Sequence, residues 1–137
     1  MITPPPTPPA LIATWTPATC AWSASILTLD AQVDTVDAQA NDFGASAYYT
    51  ALAARWQLAV AAIRARCASG VAFPPAVCAI AHWFRVERAT HMHWVWAARH
   101  GLGLLGIPPR EVQGLASENA QWAGFYGRLL DLWAVAC

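Results

Sequence analysis

Apolar residues in this chain recur every three or four positions and almost never alternate with polar ones, which confines the fold to helices. Leu29, Val33, Val36 and Ala40 follow this spacing, as do Tyr49, Leu52, Trp56, Ala59, Ile63 and Cys67. Near the end Trp122, Phe125, Leu129, Leu132 and Ala136 repeat it, flanked by Tyr126 and Trp133. No strand pattern of useful length occurs, and no repeat of solenoid length. The expected fold class is all-α: a bundle of four to five helices with an extended Pro-rich N-terminal arm.

Punctuation residues place the elements. Residues 1–24 hold six of the ten prolines, at Pro4, Pro5, Pro6, Pro8, Pro9 and Pro17, a composition that favours polyproline II and cannot build a core alone. They are read as an extended Pro/Thr-rich arm, and residues 25–137 as the helical bundle domain. Thr28 is the expected N-cap of the first helix and Asn41-Asp42-Phe43-Gly44 its end. Ser46 caps a second helix that Ser69-Gly70 closes. A third is expected from Pro75 to His100, followed by a connection from Gly101 to Ile107. Pro108-Pro109 then opens a short helix to Ala116, and Ser117 caps the last one. Gly124 and Gly127 within it point to a close backbone neighbour.

The third helix has apolar residues on nearly every side, among them Val77, Ile80, Trp83, Phe84, Val86, Met92, Trp94, Val95 and Trp96. A helix of that kind is expected to be buried all round, by its own bundle or by other chains. The whole chain is 57% apolar and 12% charged, against about 25% charged in an ordinary soluble domain. Eight Trp supply more aromatic surface than one core of 137 residues needs. Surface so poor in charge is expected to be covered by partners.

Charge is also unevenly placed. Asp30, Asp34, Asp37 and Asp42 stand without a cation in residues 1–54, while all eight Arg follow from Arg55 onward beside four acids, and there is no Lys. The split suits one half packing on the other and argues against a nucleic-acid partner, which needs a net basic face. Asp30, Asp34 and Asp37 are read as a solvated helix face.

Cys20, Cys67, Cys78 and Cys137 lie far apart with no CxxC pair, which removes the common zinc, haem-attachment and redox motifs. They are read as small hydrophobes in a chain made in the reducing cytoplasm, since no basic leader precedes an apolar run, with disulfides formed after release from the cell left open. The longest uncharged run after the arm, Cys67 to Phe84, is broken by Ser69-Gly70 and Pro74-Pro75, so a membrane is not an expected partner.

Motifs for chemistry are weak. Gly101-Leu102-Gly103-Leu104-Leu105-Gly106 has the letters of a dinucleotide fingerprint but follows a helix rather than a strand, and reads as a helix connection. The segment Pro109 to Leu130 has the outline of a helix-turn-helix but offers only Arg128 as a basic group in its second helix. Among His82, His91, His93 and His100, the spacing puts His82, His93 and His100 about 16 and 10 Å apart, too far to share one ion. Cys78 and His82 are the one pair there that could jointly hold a metal, whereas Glu87 and His91 more simply make a hydrogen-bonded or ionic pair four residues apart. No catalytic, cofactor-binding or metal-ligating residue is therefore assigned, and no cofactor is expected.

The expectation that remains is a non-enzymatic structural subunit of a multi-chain assembly, whose partners are copies of itself or other proteins. Its interface candidates are Leu11, Ile12, Trp15, Trp22, Trp94 and Trp96. A small lysine-free chain with an apolar arm and no enzymatic motif suits a tailed-phage virion component, such as a head, neck or tail accessory subunit. The alternative is a helical cofactor-binding or membrane-associated subunit of a respiratory or photosynthetic complex, with His82 or His93 as ligand.

Overall fold

The computed structural model describes Pro4, residues 14–40 and residues 45–137. The described chain is all-α, with four long helices and one short one: α1 (Pro17–Ala40), α2 (Ser46–Ser69), α3 (Pro75–Cys78), α4 (Ala81–His100) and α5 (Pro109–Ala136), with a 3₁₀ turn at Leu102–Leu105. It divides into two compact units. One comprises residues 11–81 and 132–137, the other residues 1–10 and 82–131.

In the first unit α1 starts earlier than its hydropathy indicates. Thr16 is its N-cap: the hydroxyl accepts the Thr19 N–H at 3.1 Å, and Pro17 follows with no N–H to satisfy. Thr28, expected to cap the helix, lies inside it and donates its hydroxyl to the Ala24 carbonyl at 2.7 Å. The region expected to be arm therefore contributes Thr19, Cys20, Trp22 and Ser23 to the buried side of α1. The segment 41–44, expected to end the helix, lies outside the described residues.

α1 and α2 form an antiparallel pair. Cys20, near the start of α1, is disulfide-bonded to Cys67, near the end of α2, with 6.2 Å between Cα atoms. Midway, the Trp56 indole N–H donates to Asp30 Oδ2 at 3.1 Å. The face of α2 is the expected one, since Leu52, Trp56, Ala59 and Ile63 are buried. The face of α1 is not: Ile26, Leu27, Asp30, Ala31 and Asp34 are buried, while Val36 is exposed. Asp30 and Asp34 are thus core residues rather than a solvated face, and Asp30 serves there as the acceptor that the buried Trp56 indole N–H needs.

Gly70 ends α2 at φ 72°, its N–H returning to the Arg66 carbonyl at 2.6 Å. The helix expected from Pro75 to His100 is two helices. Ile80 N–H bonds the Val77 carbonyl at 3.1 Å in a tighter turn, and that carbonyl also accepts the Trp133 indole N–H at 2.9 Å. A second disulfide, Cys78–Cys137, ties α3 to the chain end, and Phe73 N–H bonds the Ala136 carbonyl at 3.1 Å. All four cysteines are paired, so they are covalent staples rather than small hydrophobes, and none is free as a ligand or nucleophile.

In the second unit α4 and α5 also run antiparallel: Phe84 meets Tyr126, and His91 meets Asn119 and Trp122. α5 is one helix through Ala116-Ser117, where no breaker stops it, so a helix-turn-helix is absent. Its expected stripe is buried, together with Tyr126 and Trp133. No backbone crowds Gly124, and only the Arg88 side chain approaches Gly127, so these glycines do not mark a close helix crossing.

Candidate interaction surface

α4 is not buried all round. Only Phe84 and Ala98 are fully buried on it, since one helical neighbour, α5, covers one side. An outer side runs through Arg85, Ala89, His93, Trp96 and His100, all exposed and spaced by three or four residues, hence on one face, while the exposed Met92 and Arg99 border a groove shared with α5. Trp96 is the centre of this face. It is 59% exposed, and its ring is stacked between His93 (6.3 Å, 23°) and His100 (5.0 Å, 18°). His100 Nδ1–H donates to the Trp96 carbonyl at 2.9 Å, which fixes the outer ring of the stack. Trp94, 48% exposed, points elsewhere on the helix, two residues being about 200° apart.

The inner side of α4 is polar at one point. His91 Nδ1–H donates to Asn119 Oδ1 at 2.8 Å, Asn119 Nδ2 donates to the Leu115 carbonyl at 2.8 Å, and His91 Nε2 lies 3.9 Å from Glu87 Oε2. The His91 ring also stacks on Trp122 and Tyr126, each at 6.0 Å. The expected Glu87 and His91 are therefore brought together, and the His91–Asn119 hydrogen bond links α4 to α5. With every cysteine in a disulfide, no thiolate adjoins this imidazole to make a nucleophile pair.

The interface candidates separate. Leu11 and Ile12 lie outside the described residues. Trp15 is held by its own unit: its indole N–H donates to the Leu132 carbonyl at 3.0 Å, and its ring meets Phe73 at 5.5 Å and Trp133 at 6.0 Å. Arg66 covers it at 5.7 Å. Trp22 is 8% exposed on the buried side of α1. Both are thus taken up within the chain, whereas Trp94 and Trp96 face outward. The metal pair Cys78 and His82 is undone by the Cys78–Cys137 bond, and among the described residues no group of three His, Cys, Asp or Glu converges on a metal position. Among the described residues, no helix is long and apolar enough to cross a membrane.

Leu104 and Leu105, 89% and 74% exposed, belong with the outward surface, although helical periodicity singles out neither. Their signal is positional: aliphatic residues in a connection between helix ends have no stripe to join. Beside the turn an open groove of about 1170 Å³ is lined by Arg99, His100, Leu104, Ile107, Pro109 and Val112, among others. No protein-family model matches the chain, and no curated protein or solved structure is similar to it.

Proposed function

We propose that this protein is a non-enzymatic structural subunit that works by packing the outer face of α4 onto other protein chains, copies of itself included. The observation that carries this reading is Trp96: a large ring left in solvent, yet locked between His93 and His100. A pre-oriented aromatic loses little conformational freedom on binding, the condition under which interface anchors are strongest. Met92, 52% exposed, adds apolar surface beside this face, and Trp94, 48% exposed, presents a second aromatic on another side of α4. Two disulfides in a chain of this size support a working life outside a reducing compartment. A virion particle of a tailed phage is the assembly proposed, since such a subunit becomes oxidised after release.

Molar mass by light scattering after size exclusion tests the reading, on the full chain and on Trp96→Ala. The expected result is a discrete oligomer whose association weakens about 30-fold in the variant, the loss of a 2 kcal/mol anchor. Circular dichroism should be unchanged, because an exposed side chain contributes within about 0.5 kcal/mol to folding. A monomer of 14.7 kDa at every concentration overturns it.

A further inference from the structure

Leu104 and Leu105 are adjacent, and among the described residues they are the most exposed of the large hydrophobic side chains. They stand on the 3₁₀ turn that joins α4 to α5. From Gly101 to Pro109 the chain is Gly, Leu, Ile and Pro only, without one polar side chain. An Arg stands at each border, Arg99 on one side and Arg110 on the other, both exposed. Between residues 85 and 111 the exposed ionised side chains are Arg85, Arg88, Arg99, Arg110 and Glu111, four cations to one anion, while Glu87 is less exposed and lies 3.9 Å from His91.

A protein partner is ordinarily held in register by polar groups as well as apolar anchors, and this turn offers no polar side chain. A fluid surface makes no such demand. Exposed aliphatic side chains ringed by guanidinium groups are complementary to hydrocarbon lying just beneath anionic headgroups. We infer that the turn Gly101–Pro109, with Arg99 and Arg110, is a docking edge for the surface of an anionic lipid bilayer. Leu104 and Leu105 enter the boundary between headgroups and acyl chains, and the two guanidinium groups meet lipid phosphates. The contact is peripheral, and it goes beyond the packing role proposed for the α4 face.

The experiment is co-sedimentation of the full chain with vesicles of phosphatidylcholine alone or mixed with phosphatidylglycerol. Binding to the mixed vesicles should exceed binding to phosphatidylcholine by about tenfold and decline with added salt, as guanidinium–phosphate attraction is screened. The variant Leu104→Asp/Leu105→Asp should lose binding to both vesicles with its circular dichroism intact. Arg99→Gln/Arg110→Gln should lose only the preference for anionic lipid. Absence of sedimentation with either vesicle, or equal binding by the leucine variant, overturns the inference. So does a variant whose molar mass falls while the parent chain ignores lipid, which would assign the turn to a protein partner. A monomer that still binds mixed vesicles would overturn the packing role and leave the lipid edge standing.

Discussion

Removing both disulfides should unfold the unit made of residues 11–81 and 132–137. Cys20 and Cys67 are separated by 47 positions, Cys78 and Cys137 by 59. In the chain-entropy account, closing loops of these lengths restricts the unfolded chain by about 4 kcal/mol each at 25 °C. The first loop closes before the second opens, so the two restrictions are nearly independent and add to about 8 kcal/mol. A domain of this size has a total stability of about 5–15 kcal/mol, so most of it is at stake. Urea unfolding followed by tryptophan fluorescence reads this directly, because Trp15, Trp22, Trp56 and Trp133 all lie in the stapled unit. The pair variant Cys20→Ala/Cys67→Ala should lose up to about 4 kcal/mol, and the variant lacking all four cysteines should be unfolded or nearly so. An unchanged midpoint in the four-cysteine variant would refute the reasoning, as would alkylation with mass spectrometry finding four free thiols in the purified oxidised chain.

Two further perturbations probe the same unit. Trp56→Phe removes the indole donor from the buried Asp30 carboxylate and should cost about 3 kcal/mol, roughly 1.5–3 of it from the hydrogen bond to a charged group. A double-mutant cycle with Asp30→Asn should show a coupling above about 0.5 kcal/mol, and additivity would remove the pair from the account of the core. Trp15→Ala should lower the unfolding midpoint by about 2–4 kcal/mol equivalents without altering molar mass, since the ring is docked on Phe73 and Trp133 of its own chain. A change in association with no change in stability would return Trp15 to the interface.

Much of the architecture was legible from one dimension. The stripe of α5 and the buried face of α2 were readable because each places large apolar side chains every three or four residues, and Pro109 and Gly70 mark helix ends by backbone restrictions that act locally. α1 was not readable in this way. Its buried face is built from Ser23, Ala31, Asp30 and Asp34 as well as Ile26 and Leu27, so hydropathy selected Leu29, Val33 and Val36 on another side. The Thr16-Pro17 start was present as a capping signal but was masked by the Pro-rich context before it.

For the interaction surface the sequence supplied the excess of tryptophan and the shortage of charge, which together require exposed aromatic surface whatever the fold. Which rings remain outside is a property of helix pairing. Trp15 is absorbed because Leu132, Phe73 and Trp133 reach it across long stretches of chain, and Trp22 because it falls on the buried side of α1, while Trp96 stays outside on α4. Disulfide pairing and the burial of Asp30 belong to the same class. Periodicity along a chain reports the face of a helix, but the identity of its partner depends on contacts between residues distant in sequence, and only the tertiary structure decides those.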